Sequence, residues 1–506
     1  MRNAAQRFDM RGRLLGAGAA LLMAVVFSLI FYTCNSPLGP AIGSDNAMYL
    51  TMGTALSQGY APYTEIFDHK GPLLFILQTI PQLFTSGYST LAVFIQEVLF
   101  LWACLLVIAR MARRMGVSRL ACQLIYLAVY ARLLDGGNLT EEYSNLFTLI
   151  GFDAMLIVFD RGDGLGGDDA KALFAPALIL GATAMLSFMT RANNALVTVC
   201  AVGAVALCML RAKRFASLGA CALGVLAGCV LAAAPILIWL AGYGVLEDAF
   251  YGAIIHNMMY ADTGDVARKY VLFHMHYGHY AIFMAALTCL GALAYFIRTR
   301  RVPMTLAMLF GALGGGYAAF ISHKFYYHYQ MLAVPMALLG AMQLLALVGM
   351  RGEKAKKRLT GAACIVCALW LFVYGADVNA ARAKDCAVMQ DVTSEALVLF
   401  DQVPQEDRGS FLAYRVEPKW YVGAKALPCN RFYFLQEILA QADPAVMDEI
   451  VEAFHTQPPK WIVLFYNREF GPPYDARMSE IFETRYEFVD AAGEYQLLRL
   501  REDCAG

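Results

Sequence analysis

The feature that most constrains this chain is a series of apolar runs, each about as long as a lipid bilayer is thick. An α-helix needs roughly 20 apolar residues to cross the hydrocarbon core. The hydrophobic residue types make up 59% of the chain and charged residues only 16%, which excludes a soluble cytosolic enzyme. The sequence therefore predicts an α-helical membrane protein with about eleven transmembrane helices. These lie near residues 14–33, 90–109, 120–134, 143–159, 174–189, 194–210, 216–241, 279–297, 303–321, 330–349 and 359–376.

The charges between the runs predict the topology. Arginines and lysines cluster in alternate connections, near 110–119, 211–214, 298–301 and 351–358, and such connections face the cytoplasm. The first run has no small-residue cleavage site after it, so it is predicted to be a retained helix. We expect an integral protein of the plasma (cytoplasmic) membrane with its amino terminus inside and its carboxyl terminus outside. The acidic connection 160–172 is the one exception to the charge pattern.

Two segments do not fit a membrane-spanning helix. Residues 72–84 are apolar but too short to cross, which predicts a re-entrant or interfacial helix on the outer face. From about residue 377 the hydropathy falls, and β-rich runs at 411–414, 461–466, 486–489 and 495–500 alternate with turn formers. We therefore divide the chain into a membrane domain, 1–376, and a small extracytoplasmic α/β domain, 377–506.

The predicted first outer loop, 34–71, concentrates chemically useful side chains. It contains Asp45 and Tyr63, and then Asp68, His69 and Lys70 in succession. Charged groups next to a membrane are costly unless they have a function, so a site is one interpretation of the loop. The alternative is a solvated connector in which Asp45 only caps a helix over 46–58.

Two other outer loops and one turn carry further candidates. Glu141 and Glu142 lie at the start of a run, where Thr140 as N-cap and Glu142 in the first turn to complete the cap favour a capping role over catalysis on spacing alone. Arg191 interrupts an apolar pair of runs, which favours either an anion contact or a side chain that snorkels to the interface. The remaining candidates lie in the aromatic segment 323–329: His323, Lys324, His328 and Tyr329.

Several classes of site and partner have no support in the sequence. The 40 basic and 40 acidic residues cancel, so no net charge attracts nucleic acid. The 13 cysteines form no CxxC pair and no zinc-site spacing, and most lie inside apolar runs. No metal site is assigned, although a divalent metal cofactor is left open. If residues 377–506 are outside, the pairing of Cys34, Cys386, Cys429 and Cys504 also stays open.

The order of these features resembles a known family. One span is followed by a long outer loop with Asp45 near its start, then by Tyr60-Ala61-Pro62-Tyr63 and by Asp68-His69-Lys70-Gly71-Pro72-Leu73-Leu74. This pattern resembles the polytopic glycosyltransferases of superfamily C, in the bacterial branch that contains protein O-mannosyltransferases and lipid A aminoarabinose transferases. The resemblance covers about residues 1–376. The chain departs from the pattern at Gly71, where relatives often have proline, and at Asn46, where a second acid would stand.

The resemblance implies transfer of a hexosyl or pentosyl group from a polyprenyl-phosphate donor to a cell-envelope glycan, lipid or protein at the outer face. Asp45 would be the catalytic base, because an inverting transfer needs one carboxylate to deprotonate the acceptor. The other assigned residues are Asp68 and Glu142 for catalysis, Lys70, Arg191, Lys324, His328 and Tyr329 for the donor phosphate, and Tyr63, His69, Glu141 and His323 for substrate. Membrane lipid is the remaining expected partner.

We expect the donor-phosphate cations to converge on one cavity beside Asp45. The alternative function is a lipid or small-molecule transporter or flippase. A transporter would be expected to show paired halves and broken helices with midplane charges, which the sequence does not show.

Overall fold

The computed structural model describes residues 2–160, 170–261, 267, 270–271, 274–275, 278–321, 326–465 and 475–504. The chain in these ranges is mostly helical. The α-helices are α1 Arg2–Phe31, α2 Ser44–Ser57, α3 Pro72–Gln82, α4 Thr90–Arg114, α5 Arg119–Leu133, α6 Thr140–Phe159, α7 Phe174–Thr190, α8 Leu196–Arg211, α9 Phe215–Tyr243, α10 Leu246–Phe250, α11 Asn257–Ala261, α12 Gly278–Thr299, α13 Val302–Phe320, α14 Val334–Gly349, α15 Glu353–Phe400, α16 Lys419–Ala424, α17 Gln436–Ala442, α18 Pro444–Thr456 and α19 Ala476–Arg485.

Shorter elements link these helices. Tyr251–His256 is a π-helical turn between α10 and α11. The 3-10 turns are Ala170–Leu173, Ala192–Ala195, Tyr327–Ala333, Gln405–Ser410 and Glu502–Cys504. The strands are β1 Phe411–Tyr414, β2 Trp461–Phe465, β3 Tyr486–Ala492 and β4 Tyr495–Leu500.

Ten of the described helices are long and apolar enough to cross a membrane. The prediction of a polytopic α-helical membrane protein with a small carboxyl-terminal α/β region is therefore confirmed. The eleventh predicted span, near 120–134, forms helix α5, which has 15 residues and is shorter than a bilayer requires for a straight crossing. The predicted short helix after residue 71 is α3, with Pro72 in its first turn, where the missing N–H of proline costs nothing.

The chain divides into two compact units. The first unit contains residues 1–32, 94–236 and 265–379. Its core is one large cluster of buried apolar side chains contributed by the long helices. Helix α6 is the most enclosed of the candidate spans, since 89% of its apolar window is buried. Polar groups at the amino-terminal end of α6 are consequently held among protein side chains.

The second unit contains residues 33–93, 237–264 and 380–506. Side chains from separate parts of the chain share one of its apolar clusters, in which Ala47 and Leu50 of α2 are joined by Val93, Met389 and Val422. Within this unit, α2 lies against α3 so closely that a Cβ on Gly53 would overlap the backbone carbonyl of Gln78. The first outer loop is therefore packed into the same unit as the carboxyl-terminal residues.

The predicted domain boundary at 376/377 lies inside α15, which continues without interruption for 48 residues. The fall in hydropathy there changes the surroundings of the helix but does not end it, because Ala, Lys, Arg, Met and Glu all favour helix. That residues 377–506 form a separate domain stays a prediction.

The four strands form one sheet in the order β1-β2-β4-β3. Strands β1 and β2 pair in parallel, while β4 pairs antiparallel with both β2 and β3. A parallel pair needs a long crossover, and α16, α17 and α18 lie in that connection. The predicted strands at 411–414, 461–465, 486–489 and 495–500 are confirmed, and Tyr466 lies outside the described residues.

Candidate functional site

Helix α2 places Asp45 at the start of the first outer loop's helical part. The helix begins at Ser44, its N-cap is Gly43, and no side chain caps it. The expectation that Asp45 caps this helix is therefore wrong, because Asp45 already lies within the first turn. A carboxylate in the first turn is still stabilised by the helix dipole. The side chain of Asp45 is exposed, which leaves its oxygens accessible.

Asp68 and Lys70 form a buried ion pair. Asp68 is 0% exposed and Lys70 is 8% exposed. The Asp68 Oδ1 atom accepts a hydrogen bond from the Lys70 backbone N–H at 2.9 Å and lies 3.3 Å from Lys70 Nζ. The Lys70 ammonium also lies 5.8 Å from the ring centroid of Tyr49. The sequence order Asp-His-Lys lets the carboxylate fold back onto the lysine and fix its position.

The pKa of Asp68 reports on its neighbours. Burial raises this pKa, Lys70 opposes the rise through its charge and hydrogen bonds, and the negative charge of Asp45 adds to it. The net shift is upward. Asp45 is thus close enough for its charge to be felt at Asp68. Two carboxylates and one ammonium therefore share this part of the second unit.

His69 and Tyr63 complete this cluster. The His69 ring nitrogen Nδ1 lies 3.6 Å from Asp68 Oδ1, and the His69 ring packs at 4.6 Å from that of Tyr260. Tyr63 is fully buried, and its hydroxyl donates to the Lys70 backbone carbonyl at 2.8 Å. The backbone of Tyr63 has a φ of 66°, a conformation that costs energy for a large residue. Contacts around it must hold this turn in place.

Arg431, from the carboxyl-terminal part of the same unit, supplies such contacts. Its guanidinium makes a two-pronged ion pair with Glu449 of α18 and donates to the Tyr63 carbonyl at 3.2 Å. The Arg431 carbonyl accepts from the Phe67 N–H at 3.1 Å. Sequence reasoning missed Arg431, because no local pattern indicates a contact to a residue 368 positions away. We name Asp45, Tyr63, Asp68, His69 and Lys70 together the acidic cluster.

The predicted residues of the first unit lie around Arg191. Arg191 is 2% exposed, so the snorkelling alternative is wrong. It follows α7, and its guanidinium lies 3.1 Å from Glu141 Oε1 and donates to the Tyr329 hydroxyl at 2.9 Å. The guanidinium carbon also lies 4.3 Å from the Tyr329 ring centroid. We name Glu141, Arg191 and Tyr329 the arginine cluster.

His328 makes a second ion pair within this unit. Its Nδ1 atom lies 3.1 Å from Asp135 Oδ2, and Tyr327 donates a hydrogen bond to the other oxygen of Asp135. Burial alone would raise the pKa of Asp135, but the hydrogen bonds from His328 and Tyr327 outweigh it and lower the pKa. The sequence pattern assigns no role to Asp135. Its partner is 193 positions away, so no spacing rule could have found the pair.

Glu142 closes the amino terminus of α6. It accepts hydrogen bonds from the backbone N–H groups of Asn138, at 3.0 Å, and of Leu139. The N-cap is Leu139, so the expectation that Thr140 caps the helix is wrong, although Glu142 does complete the cap. Gly137, with a φ of +100°, lies where a Cβ would overlap Tyr32. Catalysis by Glu142 stays a prediction beside this observed capping role.

Two predicted residues, His323 and Lys324, lie outside the described residues. Within the described ranges, no group of three or more His, Cys, Asp or Glu side chains is arranged to hold a metal ion. The structure thus brings Tyr63, Asp68, His69 and Lys70 together in the second unit, and the charge of Asp45 acts on Asp68 there. It brings Glu141, Arg191 and Tyr329 together in the first.

The fold was compared with known structures. It is similar to two crystal structures of ArnT from Cupriavidus metallidurans, one bound to undecaprenyl phosphate and one in the apo state. The first has a TM-score of 0.60 at 12% identity and covers 96% of this chain and 98% of that chain. The second has a TM-score of 0.59 at 12% identity, with coverages of 97% and 99%. The chain therefore has the fold of ArnT, and the expected resemblance is confirmed at the level of the fold.

The sequence comparisons gave no such match. No protein-family model and no curated protein matches this chain. At 12% identity the structural likeness shows the fold alone, so roles for individual residues depend on the geometry described above.

Proposed function

We propose that this protein is a membrane glycosyltransferase that moves a sugar from a polyprenyl-phosphate donor to a cell-envelope acceptor at the outer face. The observation that carries the proposal is the match to ArnT over nearly the whole of both chains, one of those structures having undecaprenyl phosphate bound. The acidic cluster supports it independently, because it combines an exposed carboxylate with a buried ammonium in one unit.

Asp45 is the catalytic base in this proposal. Its exposed carboxylate removes the proton from the acceptor hydroxyl as that oxygen attacks the anomeric carbon of the sugar. The bond from this carbon to the phosphate oxygen breaks, and polyprenyl phosphate leaves with the electron pair. The result is an inverted glycosidic bond and a protonated Asp45.

Lys70 stabilises the leaving phosphate. Negative charge develops on the phosphate as the bond breaks, and a fixed ammonium stabilises that charge without reorganising. Asp68 holds the Lys70 ammonium at 3.3 Å, and Tyr63 holds the Lys70 backbone. Asp68 thus acts through Lys70 as a positioning residue, while His69 is assigned to substrate contact.

The proposal also includes residues of the first unit. Arg191, His328 and Tyr329 are assigned to the donor phosphate and Glu141 to substrate. The amino terminus inside, residues 377–506 outside, and an acceptor that is a glycan, lipid or protein also belong to the proposal.

The test is mass spectrometry of cell-envelope glycans and polyprenyl-phosphate sugars from cells with and without the protein. We expect one envelope sugar to disappear, and its polyprenyl-phosphate form to accumulate, when the protein is removed. Wild-type protein and Glu452→Gln, a change at an exposed acid of α18, should restore the sugar, whereas Asp45→Asn should not.

Unchanged envelope sugars in cells lacking the protein would overturn the proposal. Restoration by Asp45→Asn would refute the role of Asp45 and would favour the transporter or flippase alternative, which needs no catalytic base.

A further inference from the structure

A second arginine of the first unit, Arg132, belongs to neither cluster. Arg132 is in the last turn of α5. Its Nε atom donates to the Tyr280 hydroxyl of α12 at 3.0 Å, and Nη1 donates to the Tyr374 hydroxyl of α15 at 3.2 Å. Its guanidinium carbon lies 5.4 Å from each of these two ring centroids. Three elements therefore converge on one half-buried guanidinium.

The tyrosines orient Arg132 but do not neutralise it. Among the residues that the structure describes, no carboxylate oxygen lies within the 4 Å ion-pair distance of its guanidinium. A guanidinium has five N–H donors, and the two tyrosine hydroxyls use two of them. A cation near a membrane without an anionic partner is costly, so an anion from outside the chain is the expected partner.

The guanidinium lies at the edge of an apolar cavity of about 520 Å³. This volume lies within the range of roughly 300–1,000 Å³ that is usual for ligand pockets. The lining is almost entirely hydrocarbon and includes Ile125, Val129, Phe283, Met284, Val366 and Trp370. Arg132 and the cavity can thus accommodate the charged head group and the apolar chain of one molecule side by side.

Part of the cavity lining is exposed on helices that can cross a membrane. Phe283 is 53% exposed and Val366 is 64% exposed, and both lie in helices that can cross a membrane. The apolar surface around such helices is covered by lipid chains. A molecule that enters laterally from the bilayer can therefore reach Arg132 without crossing water.

We propose that this cavity binds an acyl chain of an anionic glycerophospholipid whose phosphate accepts hydrogen bonds from Arg132. Arginine presents paired donors that match phosphate oxygens, and such charge-assisted contacts are strong. The exposed apolar lining favours a bilayer lipid over a soluble anion. This inference does not rest on the proposed transferase function, because neither the acidic cluster nor the arginine cluster is involved.

Trp370 in the lining provides a direct probe. The full-length protein is reconstituted in phosphatidylcholine vesicles that contain equal fractions of either brominated phosphatidylcholine or brominated phosphatidylglycerol. Bromine quenches tryptophan on contact, and the Trp370 signal is isolated as the difference from Trp370→Phe. We expect the brominated phosphatidylglycerol to associate about fivefold more tightly, since one cation near anionic lipid contributes about 1 kcal/mol.

The control variants separate this site from general lipid contact. Arg132→Gln should abolish the preference at Trp370, and Arg300→Gln, which changes an arginine that does not line the cavity, should keep it. The signal of Trp239 in α9, isolated with Trp239→Phe, should show no preference. If Arg132→Gln does not fold, the double change of Tyr280 and Tyr374 to Phe keeps the charge but loses its orientation, and the preference should weaken.

Three results would overturn the proposal. The first is equal quenching of Trp370 by the two brominated lipids in the wild-type protein. The second is a preference that survives both the Arg132 and the double tyrosine change. The third is full displacement of brominated phosphatidylglycerol by stoichiometric undecaprenyl phosphate, which would assign the cavity to that lipid.

Discussion

Arg191 in the first unit and Lys70 in the second unit are both buried cations beside a buried carboxylate, yet their surroundings differ. Among the described residues, Arg191 pairs with the carboxylate of Glu141, and its guanidinium also bonds to Tyr329. Lys70 has Asp68 as its partner, and the charge of Asp45 reaches the same site. Counted over these described contacts, the first arrangement is balanced in charge, while the second has one carboxylate more than it has ammonium groups.

This difference indicates different tasks. A balanced buried pair holds two elements in place, since separating it would leave an uncompensated charge. A surplus carboxylate that is also exposed, as Asp45 is, can accept a proton from an incoming group. The arginine cluster is thus suited to holding a bound donor in a fixed geometry, and the acidic cluster is suited to the proton transfer. The predictions below separate these two roles.

The largest effect is expected at Asp45. Asp45→Asn keeps the shape of the side chain but removes its basicity, and general bases contribute roughly 10²- to 10⁴-fold to rate. Turnover, measured as transfer of radiolabelled sugar from polyprenyl phosphate to isolated envelope, should fall by that factor while the melting temperature stays unchanged. Near-normal turnover would remove the contrast between the two clusters.

The arginine cluster should respond in stability. Glu141→Gln removes the negative charge and leaves Arg191 buried, a change that typically costs about 3–5 kcal/mol. The free energy of unfolding in detergent, measured with a chemical denaturant, should fall by this amount. The double variant Glu141→Gln with Arg191→Gln should recover part of the lost free energy of unfolding, because the uncompensated charge is then gone.

The exposed pair Arg499–Glu487 is the matched control for this experiment, since half of each side chain is in solvent. Its disruption should change the free energy of unfolding by no more than about 1 kcal/mol. Equal effects at the two pairs would mean that the arginine cluster is not the stabilising element inferred here.

The sequence predicted the membrane helices well because the bilayer fixes their length and composition. It also located both clusters, since polar residues beside apolar runs are conspicuous. It did not predict the partners: His328 binds Asp135 and Arg431 binds Tyr63 across more than a hundred residues. Such pairs depend on how helices pack, which a local pattern does not encode. For the same reason the boundary at 376/377 was drawn within α15, where composition changes but the helix continues.

A smaller, local effect is expected at Arg431. Arg431→Lys cannot reproduce the two-pronged pair with Glu449 together with the bond to the Tyr63 carbonyl. Hydrogen bonds to charged groups contribute about 1.5–3 kcal/mol, so the opening free energy of residues 60–71 should fall by about 2 kcal/mol. Hydrogen exchange of peptides from residues 60–71 measures this opening free energy. Lys419→Gln, which breaks an ion pair with Glu417 elsewhere in the unit, should leave the segment unchanged.

The smallest expected effect is the pH dependence of stability. It has opposite signs for Asp68 in the second unit and Asp135 in the first. The folded-state pKa of Asp68 is raised, mainly by burial, so its contribution to stability is present below the unfolded value of about 3.9 and is lost as pH rises through the folded pKa. The pKa of Asp135 is lowered because its bonds to His328 and Tyr327 outweigh burial. Its contribution is therefore present above about pH 3.9 and is lost as pH falls through the folded pKa.

Asp68→Asn and Asp135→Asn isolate these two contributions. The stability of the wild type relative to Asp68→Asn should decline as pH rises above about 4, while that relative to Asp135→Asn should decline as pH falls below about 4. Thermal unfolding of the three proteins across this range gives both curves. If both relative stabilities declined as pH falls, Lys70 would stabilise the ionised Asp68 carboxylate more than burial and Asp45 destabilise it. The acidic cluster would then be as balanced as the arginine cluster, and the case for Asp45 as the surplus carboxylate would fail.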